Sequence, residues 1–150
     1  MTSTLTNLIY HVVFSTKNRA PTIKEEIQTE LYDYIAGIIR NKQELLLGIG
    51  GIENHLHLIL KVRAGINLSE MVRVIKANSS KWLNERKNYQ GSFSWQNGYG
   101  AFTVSASQIE RVRHYVRNQK EHHRKNSFEE EYLIFLKQNQ IEYNPTYLWG

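Results

Sequence analysis

The chain has 150 residues, with 19 Lys and Arg against 14 Asp and Glu, a formal net charge of +5, and no cysteine. That length fits one domain, residues 1–150, with a core that hides roughly two-thirds of the unfolded surface; the lack of cysteine excludes disulfides, thiolate metal ligands and thiol nucleophiles and suits a reducing cytoplasm. No apolar run approaches the ~20 residues of a membrane span, the amino terminus has no signal-peptide pattern, and the basic balance leans toward a polyanionic partner.

Leu8 to Ser15 is apolar and β-prone throughout, which predicts a central strand, with His11 packed inside the sheet. Lys17, Asn18 and Arg19 form a basic loop. Thr22 and Glu25 have capping-box spacing, and Ile27, Leu31, Tyr34, Ile35 and Ile38 recur at helical spacing up to about Asn41. Leu45 to Ile52 reads as a second strand, in which Gly48, Gly50 and Gly51 predict a bulge or tight bend. It leads into Glu53-Asn54-His55-Leu56-His57-Leu58, a third strand. Alternation along a strand puts His55 and His57 on one face, roughly 6.5–7 Å apart, half of a metal site.

Asn67 caps a helix whose buried stripe is Leu68, Met71, Val72, Ile75 and Trp82, and whose other face carries Arg73, Lys76, Lys81, Arg86 and Lys87, candidates for phosphate contact. From Tyr89 to Val104 the rings of Phe93, Trp95, Tyr99 and Phe102 alternate with glycines, predicting a short hairpin whose aromatics are either core or a stacking surface for bases. Ser107 and Glu110 have capping-box spacing for a helix running to about Lys125. Tyr115 and Gln119, four residues apart, share its flank with His122. His114, His122 and His123 read as surface positions. An acidic helix, Phe128 to Gln138, and an apolar tail with Tyr147, Leu148 and Trp149 close the chain; the tail is expected to dock on the body or a partner.

The order of elements predicts an α+β, ferredoxin-like (RRM-like) antiparallel sheet with helices on one face and additional C-terminal helices, leaving the histidine face toward substrate. Two imidazoles need further ligands, and the Gln119 carboxamide oxygen is the best remaining candidate, with Mg²⁺ or Mn²⁺ suited to the nitrogen and oxygen donors. Tyr115, one turn away, is placed to attack a phosphodiester.

On His55-Leu56-His57, Tyr115 with Gln119, Tyr10 to Lys17 and Trp95 to Phe102, the chain resembles the IS200/IS605-type single-tyrosine (Y1) HUH transposases over nearly its whole length. The resemblance implies a homodimer that recognises single-stranded DNA hairpins at mobile-element ends, cuts with Tyr115 through a 5′-phosphotyrosine, and holds its ion with His55, His57 and Gln119. It also implies composite sites, histidines from one protomer and the tyrosine helix from the other, although spacing alone leaves cis or trans open. Lys17, Arg19, Arg73, Lys76, Lys81, Trp95 and Tyr99 are the expected DNA contacts. Glu53-Asn54 replaces the family's common proline-aspartate, a change expected to affect the turn more than the chemistry. The repeat-associated tyrosine transposases share these motifs and are the nearest alternative; a non-catalytic ferredoxin-like RNA or single-strand binder is the alternative of another class.

Overall fold

Strands without apolar–polar alternation need cover on both faces. Two such strands, β1 (Leu8–Ser15) and β3 (His55–Val62), form the centre of a four-stranded antiparallel sheet of order β2-β3-β1-β4, with β2 (Leu45–Ile52) and β4 (Gly100–Thr103) at its edges. Val13 lies opposite His57, and Ser15 opposite His55. The structure, a computed structural model, describes residues 2–86, 89 and 91–150, so Lys87 lies outside the described residues.

On one face, Val12, Phe14, Leu56, Leu58 and Leu60 meet Leu31, Ile35 and Ile39 of α1 (Glu25–Asn41) and Met71, Ile75 and Leu83 of α2 (Leu68–Asn84). This is the ferredoxin-like layer. The opposite face was expected to stay open; instead α3 (Ile109–Arg117), the single turn α4 (Gln119–His122) and α5 (Phe128–Gln138) lie across it. Ile9 and Ile59 pack there with Val104 and Val116, and Val13 packs with Phe102, Phe128, Tyr132 and Leu136. Leu148 and Trp149 join that second cluster, so the tail docks on the body as expected.

Local chemistry explains where elements start and stop. Asn67 accepts a hydrogen bond from the Glu70 amide at the start of α2, and Ser127 and Glu130 form a reciprocal capping box on α5. The other two expected boxes do not form. The Thr22 hydroxyl donates to the Ala20 carbonyl while Lys24 precedes α1, and Ser107 lies in a 3₁₀ turn ahead of α3. The expected hairpin between Tyr89 and Val104 reduces, among the described residues, to β4 and one isolated bridge from Trp95 to Thr16. The reason is Asn84 at the end of α2, whose amide binds both the Phe93 carbonyl (2.9 Å) and the Phe93 N–H (2.6 Å), tying that segment to the helix rather than to the sheet.

The β2 glycines do two things. The pairing register with β3 shifts between Leu46 and Gly48, the expected bulge. At Gly50 the missing side chain lets α3 approach: a Cβ there would lie 3.0 Å from the Val116 carbonyl carbon and closer still to its oxygen.

Candidate metal and nucleophile site

The histidine pair points toward the C-terminal helices, and both rings are 0% exposed. Each is turned by a neighbour. Asn54 places its carboxamide oxygen 2.8 Å from His55 Nδ1, and His11, diagonal to His57 on the same face, places Nε2 2.7 Å from His57 Nδ1. Both Nε2 atoms therefore face one buried point. Asn54, within the Glu53-Asn54 departure, is thus in contact with the His55 ring.

The tyrosine helix arrives at the same point. Expected to run unbroken, it breaks at Asn118 (φ −103°, ψ 35°), whose side chain donates to the His114 carbonyl (2.8 Å). Gln119 nevertheless stays beneath Tyr115, donating from its amide nitrogen to the Tyr115 carbonyl (3.2 Å) and setting Oε1 2.9 Å from His55 Nε2. The Tyr115 ring lies 5.8 Å from that of His57 and stands edge-on to it. All four residues meet within one chain.

Two further residues complete the cluster. His123 Nε2 lies 3.0 Å from Gln119 Oε1 and 3.2 Å from Glu131 Oε2. Glu131, 2% exposed, places Oε1 3.0 Å from His57 Nε2 and accepts the hydroxyl hydrogen bond of Tyr115 on Oε2. His123 was expected at the surface and Glu131 was not singled out. The signal for Glu131 lay in Phe128, Glu131, Tyr132, Phe135 and Leu136, where an acid occupies the helical apolar stripe.

The electrostatics fit a cation. Burial, and next the neighbouring His57, lower the His55 imidazole to about 3, so it is neutral at pH 7. A neutral imidazole carries one proton, yet both its nitrogens face acceptor oxygens, of Asn54 and of Gln119. A positive ion beside Nε2 resolves that conflict. Burial would raise the Glu131 carboxyl, but hydrogen bonds from His123 and His57 hold it well below the ordinary carboxylate range. Burial alone would lower His123, and the Glu131 carboxylate reverses this and raises it. Donor atoms of His55, His57, His123 and Glu131 all lie within 4.8 Å of one another, a set of imidazole nitrogens and a carboxylate that suits a divalent transition ion. Burial, and then Glu131, push the Tyr115 hydroxyl above its ordinary value.

The expected DNA contacts scatter. Lys17 is exposed, and Arg19 is half-buried, 4.9 Å over the Trp149 ring and 3.7 Å from Glu129. Arg73 pairs with Glu70, and Lys81 is exposed, 4.0 Å from Glu85. Lys76 donates to the Gln96 (2.9 Å) and Gly98 carbonyls. These three α2 residues belong to the layer on the other side of the sheet from the cluster. Trp95, expected to be either core or a stacking ring, lies in the core: it is 7% exposed, perpendicular to Phe14 and Phe93, and donates to Ser79 Oγ (2.9 Å). Tyr99 is half-buried, with its hydroxyl bonded to that of Ser69. Arg111, Arg117 and Lys125, not selected from the sequence, are exposed on or just after the helices that carry Tyr115 and Gln119.

The third strand of a ferredoxin-like sheet thus presents a buried His-X-His pair to a helix-borne tyrosine. The chain belongs to the IS200-like transposases: the family model described as "Transposase IS200 like" matches residues 4–119. A crystal structure of a Deinococcus radiodurans R1 protein assigned as a transposase is similar at a TM-score of 0.60 and 21% identity, covering 79% of this chain and 95% of that one. The structure of a REP-associated tyrosine transposase bound to a REP hairpin is similar at a TM-score of 0.52 and 18% identity, covering 77% of this chain and 66% of that one. No curated protein matches the chain. Among the described residues, no helix is long and apolar enough to cross a membrane.

Proposed function

We propose that this chain cuts and rejoins single-stranded DNA hairpins at the ends of a mobile element in the cytoplasm, through a 5′-phosphotyrosine on Tyr115. The observation that carries the reading is the arrival of Tyr115 and Gln119, from one helical segment, at the buried point faced by His55 Nε2 and His57 Nε2. Membership of the IS200-like transposases supports the reaction class, and the hairpin bound by one structural neighbour supports the substrate.

His55, His57 and Gln119 would hold Mg²⁺ or Mn²⁺, which when bound supplies positive charge to the phosphoryl oxygens of an in-line displacement. His11 and Asn54 fix the two imidazoles so that Nε2 faces inward. Tyr115 Oη forms a bond to phosphorus, the P–O3′ bond breaks, and the tyrosine's proton is balanced by protonation of the departing 3′ oxygen. The phosphotyrosine keeps the bond energy for the reverse attack by a 3′-hydroxyl that seals the strand. Arg111, Arg117 and Lys125, exposed on or just after the helices that carry Tyr115 and Gln119, would supply phosphate contacts. The chain acts as a homodimer, as the resemblance implies.

The test incubates the protein with a labelled single-stranded hairpin from the flanks of its own gene and Mn²⁺ or Mg²⁺. A covalent protein–DNA product is expected from the natural chain; Tyr115→Phe, His57→Ala and EDTA should each remove it while leaving hairpin binding in place. Product in EDTA, or on Tyr115→Phe, would refute the reading.

A further inference from the structure

Glu131 lies beyond the residues that the family model matches, which end at Gln119. Its place is nonetheless fixed by two features of its helix. The Ser127–Glu130 capping box sets where α5 begins, and Phe128, Tyr132 and Leu136 anchor its inner stripe on the sheet. Glu131 falls on that stripe and is driven inward, where an isolated carboxylate would be strongly disfavoured.

Its two oxygens do different things. Oε1 lies 3.0 Å from His57 Nε2 and 3.5 Å from His55 Nε2, the two nitrogens that face the proposed ion. Oε2 turns the other way, 3.3 Å from His122 Nε2 and 3.2 Å from His123 Nε2, and accepts the hydrogen bond of the Tyr115 hydroxyl. A carboxylate can coordinate through one oxygen and accept a hydrogen bond on the other at once. A bare carboxylate beside two imidazole nitrogens is the anionic ligand that His55, His57 and Gln119, all neutral donors, lack.

We propose that Glu131 is a bridging residue, ligating the divalent ion through Oε1 while Oε2 holds Tyr115 Oη toward the phosphorus bound at that ion. The assignment rests on the function proposed above and adds a ligand and a positioning residue from α5. It makes α5 part of the working site rather than a cover for the sheet, and it couples ion binding to the aim of the nucleophile. The carboxylate also moves the donor set toward Mn²⁺ and away from a purely neutral nitrogen–oxygen site.

The experiment compares the full-length natural chain with Glu131→Gln, Glu131→Asp and Tyr115→Phe. Mn²⁺ affinity is measured by calorimetry, Co²⁺ binding by its visible absorption, and covalent hairpin product at saturating Mn²⁺. Glu131→Gln keeps the shape but loses the charge and turns a donor toward Tyr115, so Mn²⁺ affinity should fall about tenfold to a hundredfold, the Co²⁺ spectrum should change, and product should form more slowly even at saturating ion. Glu131→Asp keeps the charge on a shorter arm, so Mn²⁺ affinity should be the better retained of the two while product formation still falls. Tyr115→Phe should leave Mn²⁺ affinity within about twofold, since it removes no ligand.

A folded Glu131→Gln chain with natural Mn²⁺ affinity and an unchanged Co²⁺ spectrum overturns the proposal, as does natural product formation by Glu131→Asp. If both variants fail to fold, the natural chain crystallised with Mn²⁺ decides: a Glu131 oxygen in the coordination shell supports the assignment and its absence overturns it. The calorimetry and spectra need no DNA. If the natural chain yields no covalent product, the transposase reading fails, and with it the tyrosine half of the bridge, while the ligand half is still judged on its own.

Discussion

Gly50, the cross-strand partner of His57, offers a test that replaces no proposed ligand. A Cβ at this position would stand 3.0 Å from the Val116 carbonyl carbon and 3.2 Å from Val116 Cγ1, with the carbonyl oxygen nearer still, whereas ordinary contact begins at 3.4 Å. The obstacle is backbone of α3, which cannot swing aside as a side chain would. In Gly50→Ala the helix must therefore back away from β2 by about 1 Å, a displacement of the size that costs on the order of 100-fold when it misplaces a reacting group. Overpacking of this kind destabilises by about 1–3 kcal/mol. Tyr115 precedes Val116, so the nucleophile moves with the contact, while His55 and His57 stay on β3. The expected outcome is a folded protein, destabilised in urea, whose covalent hairpin product forms roughly 100-fold more slowly. Gly37 in α1 is the control: nothing lies within 4 Å of its added Cβ, and Gly37→Ala should stabilise by about 0.5–1 kcal/mol with product formation unchanged. A Gly50→Ala chain that forms product at the natural rate would refute the claim that this β2–α3 contact sets the tyrosine's position.

Two further outcomes follow from charge and hydrogen bonding. Burial lowers His11 and His55 from 6.5 to about 3, so the folded chain resists protons that the unfolded chain takes up; the stability they protect is present above pH 6.5 and lost as pH falls toward 3. Glu131, held below its ordinary value, adds a loss of the same sign at lower pH, while the raised His123 stabilises most on the acid side and loses that contribution only as pH rises. In EDTA, unfolding free energy should fall by on the order of 4 kcal/mol between pH 7 and pH 5, read from urea midpoints; equal stability at the two pH values would contradict the burial of neutral histidines. On α2, Lys76 donates to two carbonyls and burial pushes its amino group down to about 8, whereas Lys81 is an exposed partner of Glu85. Lys76→Ala should therefore cost about 1.5–3 kcal/mol and Lys81→Ala under about 0.5 kcal/mol in denaturant melts; equal effects would show that Lys76 does not staple the Gln96–Gly98 loop.

The sequence determined the elements whose signals are local. The uniformly apolar Leu8–Ser15, the glycine-loosened Leu45–Ile52 and the stripe of Phe128–Gln138 carry their own periodicity, and their spans match the structure residue for residue. The His55–His57 pair was legible because strand alternation alone puts both on one face, and Tyr115 with Gln119 because four residues make a helical turn. Tertiary structure decided what covers that face. Nothing local in Ile109–Gln138 says that α3 to α5 fold back over the sheet, and only that return turns His123 and Glu131 from surface polars into a buried cluster and places Tyr115 against the histidines of its own chain. It also decided that Trp95 is core rather than a stacking surface, because its partner Ser79 and its neighbours Phe14 and Phe93 come from distant parts of the chain. Periodicity reports which face of an element is buried; which charged groups share that burial depends on contacts between elements far apart in sequence, and those are fixed only when the layers pack.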